Sequence, residues 1–599
     1  MNYLPQLMNG EKQTLNTTTF GGYNHREIIS DGEMYRTRNL SGRMYPAMTT
    51  RKKRGLVDLG EAPELTGISG RDQLVFCAGT HVYYNFAEVT GITVSADASM
   101  CPKQIVNFGA YVLILPDKVF FNTVNQSDCG TIDRLFSESG SSLSLTMCRG
   151  DGTNYDMTQI TVSGTAPANP TGGQLWIDQS GDNDVLRQYS TGTAEWVEVA
   201  TTYVKLSGTG IGHGLAEYDA ITLSGLAAPD AETARVKAQV SALNGSYLVY
   251  QAGENYIVIM GLISKTLNAL KTQTVRADRK MPDMDYIVES NNRLWGCKYG
   301  INAAGAVVNE IRASALGNFK NWERFMGNSQ DSYVASVGSD GFFTGAVTLK
   351  NYPVFFKENC IHQVYGQTPS TFQINTTQAR GVQQGSGSSA VVVNERAYYK
   401  SRTDVMMFDG SIPVSVSDAL GDVLYKNARA GAVGGKYMVS MEDLNGQWSL
   451  FSYDTERNVW YQEDDFRVMG FGRVNDELFA VDERTGELVA MMGTMGEMED
   501  DFTWEAEFGL FGTDWREKKY LSRFDLRMYL EEGGSARLEI QYDSSGVWEK
   551  MPEIRGRSRR SFVIPVIPRR CDHLRFRLIG TGEMRLYSLS RILEVSTDG

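Results

Sequence analysis

The chain is built around a recurring unit of two short apolar strands joined by a tight polar turn, and the second strand often ends in an aromatic before Asp or Gly. The copies occupy 74–77 with 82–84, 350–357 with 361–366, 395–400 with 405–410, 435–441 with 448–454, and 477–482 with 487–491. No helical period separates them. Short strands bounded by turn residues and recurring every few tens of residues predict a β-propeller or a related array.

The last hundred or so residues show the cleanest alternation of apolar and polar positions. The apolar positions are Phe524, Leu526, Met528 and Leu530, then Ala536, Leu538, Ile540 and Tyr542, then Leu574, Phe576 and Leu578. A period of two places these side chains on one face of each strand, with charged residues on the other face. The pattern predicts antiparallel strands packed as a small β-sandwich.

The composition of residues 135–275 differs from that of the flanking segments. These residues are rich in Ser, Thr, Gly and Ala, and residues 166–173 contain many turn-forming residues. They predict a β-domain inserted into the propeller. The complete prediction is an all-β chain with a split propeller, an inserted β-domain and a C-terminal β-sandwich. Its parts are an irregular N-terminal arm at 1–56, the first part of the propeller at 57–134, the insertion at 135–275, the remainder of the propeller at 276–498, and the sandwich at 499–599.

Composition narrows the function classes. The chain has 599 residues with 42% hydrophobic content, and no stretch approaches the roughly 18 apolar residues of a membrane helix. The N-terminus lacks the pattern of a signal peptide, so we expect a protein made in a cytoplasm and not exported by that route. The seven cysteines are dispersed along the chain, which predicts reduced thiols. Neither these cysteines nor the five dispersed histidines have the spacing of a zinc site, and we predict no metal and no cofactor.

The net charge is −13, from 58 basic and 71 acidic residues. An acidic surface is poor for docking nucleic acid, because phosphate contacts require Lys and Arg. It suits a surface past which DNA slides without sticking, and it equally suits ordinary solubility.

Two groups of residues are candidate contact sites. The basic run Arg51, Lys52, Lys53 and Arg54 is either a solvated loop or a contact to an acidic neighbouring subunit. Within the insertion, Trp176 and Trp196 lie in short strand-like runs, where they are either core residues or a surface that binds glycan. Both alternatives stay open at the level of sequence.

The recognised catalytic motifs are missing. The sequence has no phosphate-binding loop, no H-E-x-x-H and no G-x-S-x-G. The segment 452–460 resembles the Asp-box of sialidases, but Glu456 stands where that motif has Gly, and a turn held by Asp454 with Trp460 packed beneath it explains the segment. We therefore predict no catalytic residues and a protein that is not an enzyme.

Several segments resemble structural proteins of tailed bacteriophages, namely the tail nozzle (tail tubular) and head–tail stabilisation group with a propeller core. The resembling segments are 20–24, 31–34, 39–40, 45–46, 51–55, 292–296, 310–314, 316–317, 321–322, 356–358, 364–366, 407–410, 569–573, 580–582 and 587–588. Each is short, but their order and spacing cover most of the chain outside 135–275.

The resemblance implies a virion protein in a closed ring, commonly of six copies, around a channel that carries DNA during ejection without sequence-specific binding. It also implies neighbouring tail, adaptor or fibre proteins as partners, location in the phage tail, and assembly in the cytoplasm of the bacterial host. Two alternatives remain. One is a head–tail connector component with the same fold, and the other is a carbohydrate-binding or glycan-cleaving propeller that contacts the host surface.

Overall fold

The computed structural model describes residues 12–60, 64–97, 99, 102–302, 304–513, 518–556 and 560–595. Over these residues the chain is all-β apart from one α-helix and a few short 3-10 turns, which confirms the predicted fold class. Within the same ranges, no helix combines the length and the apolar character needed to cross a membrane.

The first half of the chain contributes an N-terminal segment, two propeller blades and the insertion. The N-terminal segment has β1 (Lys12–Thr17), β2 (Gly22–Tyr23), β3 (Glu33–Arg38), β4 (Leu40–Ser41), β5 (Met48–Thr50) and β6 (Gly55–Val57). Blade 1 has β7 (Leu65–Gly70), β8 (Leu74–Ala78), β9 (His81–Tyr84) and β10 (Ala87–Glu88), and blade 2 has β11 (Gln104–Phe108), β12 (Tyr111–Leu115), β13 (Val119–Asn122) and β14 (Cys129–Thr131).

The insertion contains twelve strands and the helix. These are β15 (Ser137–Ser139), β16 (Ser144–Cys148), β17 (Thr161–Ser163), β18 (Leu175–Asp178), β19 (Val185–Ser190), β20 (Glu195–Glu198), β21 (Tyr203–Ser207), β22 (Ala220–Ser224), α1 (Ala234–Ala242), β23 (Gly245–Leu248), β24 (Gln251–Gly253), β25 (Tyr256–Met260) and β26 (Thr274–Asp278). They form three four-stranded sheets around a core of their own.

Blades 3 to 7 follow the insertion. Blade 3 has β27 (Tyr286–Ser290), β28 (Arg293–Ile301), β29 (Val307–Ala313) and β30 (Tyr333–Ser336), blade 4 has β31 (Phe343–Leu349), β32 (Tyr352–Lys357), β33 (Cys360–Tyr365) and β34 (Gln373–Gln378), and blade 5 has β35 (Val391–Val393), β36 (Arg396–Lys400), β37 (Val405–Phe408) and β38 (Val414–Ser415). Blade 6 has β39 (Tyr425–Val433), β40 (Lys436–Asp443), β41 (Trp448–Asp454) and β42 (Val459–Asp464), and blade 7 has β43 (Val468–Val474), β44 (Glu477–Asp482) and β45 (Leu488–Ala490).

The remaining strands complete the chain. They are β46 (Glu497–Met498), β47 (Thr503–Phe508), β48 (Lys519–Leu530), β49 (Ser535–Tyr542), β50 (Glu549–Lys550), β51 (Ile554–Arg555), β52 (Arg560–Ile564), β53 (Leu574–Thr581) and β54 (Met584–Val595).

The blades form a closed seven-membered ring in the part of the chain that the structure describes. The first strand of each blade contacts the first strand of the next, from β7 through β11, β27, β31, β35 and β39 to β43, and β43 contacts β7 again. The recurring strand pairs seen in the sequence are the second and third strands of the blades. They are almost entirely buried, because each blade packs against a neighbour on both faces.

Tight turns join the first and second strands of most blades. The turn residues Asn291 and Asn292, Lys350 and Asn351, and Asn394 and Glu395 all have positive φ. Two consecutive residues of positive φ give a hairpin turn whose twist matches the flanking strands, and Asn and Gly tolerate this region best. These turns form the inner hairpins of the blades, whereas the polar turn inside the sequence repeat joins the second and third strands.

The N-terminal segment closes the ring. Strand β6 pairs with β45 and supplies the fourth strand of blade 7, with Val57 opposite Leu488 and Gly55 opposite Ala490. A Cβ atom on Gly55 would lie 1.9 Å from the carbonyl oxygen of Met495, so only glycine fits at this position.

The prediction of an irregular N-terminal arm is wrong for the described residues 12–56, because their strands pair with distant parts of the chain. Strand β1 pairs with β54, β2 with β42, and β3 with β47. A sequence pattern shows strand partners only when they are close along the chain, and these partners are hundreds of residues away. Residues 1–11 of the predicted arm lie outside the described residues.

The C-terminal residues form the predicted sandwich. One sheet contains β54, β48 and β52 with β1, β4 and β5, and the other contains β3, β47, β53 and β49. All the alternating apolar residues named above are buried at the interface of the two sheets, where Phe576 stacks on Phe508 with ring centroids 4.7 Å apart. Strands β2 and β3 also join this second sheet to blade 6, so propeller and sandwich share one continuous sheet.

The insertion contacts blade 3 through a buried network of one ion pair and side-chain hydrogen bonds. Asp219, only 2% exposed, forms an ion pair with Arg279 at 2.5 Å. Its other carboxylate oxygen accepts hydrogen bonds from Asn318 (3.3 Å) and Asn321 (3.4 Å), which belong to the long loop between β29 and β30. These contacts hold the insertion in a defined orientation on the propeller.

Candidate functional site

The basic run lies at the junction between the propeller and the sandwich, and the structure divides it into two pairs. Arg51 and Arg54 are buried, whereas Lys52 and Lys53 are exposed. Arg54 pairs with Glu463 (3.0 Å) and Asp464 (2.8 Å), which end the last strand of blade 6. This geometry corrects part of the predicted inter-subunit contact, because a buried arginine paired within its own chain is not available to a neighbour.

Arg51 completes the same network. Its Nε donates to Asn39 Oδ1 at 2.7 Å, both terminal nitrogens contact Glu499, and the guanidinium lies 4.1 Å from the centroid of the Phe502 ring. Burial would raise the pKa of Asp464, but Arg54 and Arg51 outweigh it and hold that pKa below its usual value. The acidic stretch 497–501 is thus the partner of the basic run.

The predicted contact to a neighbouring subunit now depends on the two lysines, Lys52 and Lys53. Lys53 pairs with Asp501 at 2.5 Å on the surface, and Lys52 has an exposed ammonium group. A contact from Lys52 and Lys53 to an acidic neighbouring subunit stays a prediction.

The two tryptophans of the insertion lie together but in different environments. Trp176 is 6% exposed, and its Nε1 donates to the carbonyl oxygen of Ser163 at 3.0 Å. Trp196 is half-buried, meets Trp176 edge to face at 5.4 Å, and also contacts Tyr189. Trp176 is therefore a core residue, and its predicted role as a glycan contact is wrong. A glycan contact by Trp196 remains a prediction.

The axis of the propeller is where a glycosidase would hold its carboxylates. Among the seven inner strands, Glu289 on β27 is the only acidic residue. Glycoside hydrolysis uses a pair of carboxylates across the bond that breaks. The inner strands alone do not supply that pair.

Other reactive groups are dispersed. The six cysteines within the described residues are free thiols, and all but Cys129 are buried, while Cys101 lies outside those residues. In the same part of the chain, no group of three or more His, Cys, Asp or Glu side chains is placed to hold a metal ion.

Sequence reasoning missed an apolar hairpin tip on blade 3. Residues 298–301 of β28 and 307–309 of β29 pair only with each other, beyond the edge of the four-stranded blade. Ile301 is opposite Val307, and they are 70% and 85% exposed, while nearby Phe342 is 57% exposed and packs against Tyr299. The available signal was the unusual length of β28, which continues past the point where its partner strand β27 ends.

The Asp-box-like segment is a turn within blade 6. Asp454 Oδ1 accepts backbone hydrogen bonds from Glu456 (3.2 Å) and Arg457 (3.1 Å), and Trp460 is 1% exposed in the core of the blade. This confirms the interpretation of the segment as a turn held by Asp454.

No protein-family model and no curated protein matches this chain. Among solved structures, it is similar to an exo-β-1,3-galactanase from Phanerochaete chrysosporium, at 7% identity with a TM-score of 0.21 over 51% of this chain and 94% of that one. A GH43 glycoside hydrolase gives 9% identity and a TM-score of 0.19 over 53% and 98%. Trypanosoma rangeli sialidase gives 10% and 0.15 over 96% and 95%.

These similarities correct one prediction from the sequence. The three structures named above are glycoside hydrolases, so the prediction from missing motifs that this chain is not an enzyme is withdrawn. At TM-scores of 0.21 and below, the likeness carries no argument about the chemistry of this chain.

Proposed function

We propose that this chain is a structural protein of a tailed-bacteriophage virion that assembles with copies of itself into a ring, as a tail nozzle or hub around the path of the ejected DNA. Its place in this proposal is the phage tail, with assembly in the host cytoplasm and contacts to neighbouring tail, adaptor or fibre proteins. The resemblance of segments throughout the propeller, the N-terminal segment and the sandwich supports the proposal.

The observation that carries the proposal is the apolar hairpin tip with Ile301 and Val307, beside which Phe342 is also exposed. Large apolar side chains at the end of a two-stranded extension are costly in water and are typical of surfaces that another protein covers. The N-terminal segment pairs with distant parts of the same chain, β1 with β54 and β6 with β45. A protruding apolar contact of this kind is suited to a head-to-tail interface that closes by rotation.

The test is the oligomeric mass of the purified chain by native mass spectrometry, together with particle imaging. We expect a closed ring of about six copies, and we expect the double variant Ile301→Ser/Val307→Ser to shift the population toward monomer. Val124→Ser is the matched control, because Val124 is 86% exposed at a loop of blade 2. A wild-type chain that stays monomeric at all concentrations and with virion partners would contradict the proposal.

A second candidate is a propeller that binds or cleaves carbohydrate at the host surface. The specific observation is Trp196 on β20, an edge strand of one sheet of the insertion, whose half-buried ring lies beside Tyr189 of the neighbouring strand β19. Aromatic rings at a surface stack on the apolar faces of sugars.

Glycan-array binding and hydrolysis assays test this second candidate. We expect Trp196→Ala to abolish any binding at the insertion, with Phe325→Ala as the control, since Phe325 is an exposed aromatic elsewhere on the chain. No binding and no hydrolysis by the wild-type chain would remove this candidate.

A further inference from the structure

The outer face of the sheet shared by blade 6 and the sandwich carries an excess of arginine. The strands β3, β47, β53 and β49 are neighbours in this sheet. Arg36 lies opposite Glu507, Glu507 opposite Arg577, and Arg577 opposite Glu539, so charges of alternating sign form a row across four strands. This face thus contains a ladder of cross-strand charge pairs, in which Glu507 and Glu539 are buried beneath the arginines.

The carboxylates of this ladder are all engaged by arginines of the sandwich. Glu507 pairs with Arg575 (2.8 Å), and Glu539 pairs with Arg577 (2.8 Å) and Arg537 (2.9 Å). Glu505, which lies opposite Arg38 on the next strand, pairs with Arg577 at 3.3 Å. The three glutamates therefore form ion pairs with three arginines of β49 and β53. None of them pairs with Arg36 or Arg38 of β3.

Arg36 and Arg38 are left with exposed guanidinium groups. Within the residues that the structure describes, neither side chain forms a hydrogen bond or an ion pair. The two side chains are two positions apart on one strand and point to the same face. They are available to an anion from outside the chain.

These two arginines line a cleft between the propeller and the sandwich. The cleft encloses about 240 Å³, and its opposite wall is formed by Gln447, Trp448 and Ser449 of blade 6. Gln462 Nε2 donates to Ser449 Oγ at 3.1 Å, which orients both groups at the floor of the cleft. Clefts between domains are common places for ligands, and this one is smaller than the roughly 300–1,000 Å³ of sites for drug-sized molecules.

The two aspartates at the edge of the cleft do not neutralise the arginines. Asp464 is held by Arg54 at 2.8 Å and by Arg51 at 3.7 Å. Asp465 is exposed, and its nearest cation is Arg484 at 3.8 Å.

We propose that this cleft binds a single sugar unit that bears a carboxylate, with Arg36 and Arg38 holding the carboxylate and Trp448, Gln447 and Ser449 contacting the ring and its hydroxyl groups. Arginine is suited to this role because its planar fork matches a carboxylate through two parallel hydrogen bonds. One ring face of Trp448 is covered by Arg467, so the ring is held in place. The inference goes beyond ring assembly, since the whole cleft lies within one chain.

The same observations disfavour nucleic acid. A nucleic acid strand presents a phosphate at every nucleotide and needs a continuous basic track. Here the two arginines are flanked by Asp465 and by the glutamates of the ladder. The cleft therefore accommodates one negatively charged group but not a row of phosphates.

Isothermal titration calorimetry with the full chain tests the proposal, using glucuronate, a galacturonate oligosaccharide and N-acetylneuraminate as probes and glucose as the neutral counterpart. We expect at least one acidic sugar to bind, glucose not to bind, and Arg36→Gln/Arg38→Gln to weaken binding at least about tenfold. Trp448→Phe should remove the change in tryptophan fluorescence on binding. Arg402→Gln, in an exposed loop of blade 5, is the matched control and should bind as the wild type does.

Inorganic phosphate and a single-stranded oligonucleotide are the competing probes. Binding of the oligonucleotide in preference to the acidic sugars, or equal binding of phosphate, would overturn the proposal. It would also be overturned if no acidic sugar bound the wild type, or if the double variant and Arg402→Gln bound equally well. Thermal melting of each variant separates a lost site from a lost fold. A failure here would leave ring assembly intact, because that proposal is tested by mass alone.

Discussion

Val57 lies opposite Leu488 in blade 7, and this pairing joins the N-terminal segment to the last blade of the propeller. In this way a strand from before blade 1 completes blade 7, and the ring cannot open without breaking that strand from its partner. The arrangement makes the N-terminal segment part of the propeller core.

Gly55→Ala should destabilise the ring, because the added methyl group would lie 1.9 Å from the Met495 carbonyl oxygen. Overpacking of this kind costs about 1–3 kcal/mol. Gly338→Ala is the control, since nothing lies within 4 Å of a Cβ atom at that position. Thermal melting of the two variants checks the prediction, and equal melting temperatures would show that β6 tolerates displacement.

Arg54→Gln and Lys53→Gln should differ strongly although the residues are adjacent. Removing Arg54 leaves the buried Glu463 without its ion-pair partner and leaves Asp464 with Arg51 alone. Breaking a buried pair in this way costs about 3–5 kcal/mol. Lys53 and Asp501 form an exposed pair worth less than about 1 kcal/mol. Urea unfolding of both variants measures the difference. Similar losses would mean that the basic run acts as one surface feature.

Stability should fall between pH 6.5 and pH 4 through His362. Burial, together with nearby Lys357, lowers the pKa of His362 from 6.5 to about 4. The unfolded chain therefore binds a proton in this range before the folded chain does, so the contribution of His362 is complete above pH 6.5 and is lost as the pH falls toward 4.

Melting temperature against pH tests this contribution of His362. The slope between pH 6.5 and 4 should be shallower in His362→Gln than in the wild type. His81→Gln is the control, since His81 is exposed and pairs with Glu88 at the surface. Parallel curves for the wild type and His362→Gln would contradict the prediction.

Arg279→Gln should loosen the insertion from blade 3. The change leaves the buried Asp219 carboxylate without its cation, with hydrogen bonds only from the Ala216 backbone, Asn318 and Asn321. Breaking a buried pair costs about 3–5 kcal/mol. Hydrogen exchange should rise in β15, β22 and β26 while the blades stay protected. Arg276→Gln, at an exposed position of β26, should leave exchange unchanged. Uniform exchange in both variants would show that other contacts hold the insertion.

The sequence by itself determined the class of the fold and the middle strands of the blades. The alternation of Phe524, Leu526, Met528 and Leu530 predicts one buried face, because the side-chain period of a strand is local to the strand. The apolar runs at 352–357 and 396–400 predict buried strands for the same reason, since blade packing covers both of their faces. These features need no knowledge of the partner.

Only the tertiary structure decided which strands meet and which charges are free. Arg51 and Arg54 look the same as Lys52 and Lys53 in the sequence, but Glu463, Asp464 and Glu499 bury the arginines from more than four hundred residues away. Within the described residues, Arg36 and Arg38 have no ion-pair partner, because Glu507 and Glu505 opposite them pair with Arg575 and Arg577 of β53. Strand pairing and ion pairing between distant segments depend on where the whole chain places them, and a local pattern does not contain that information.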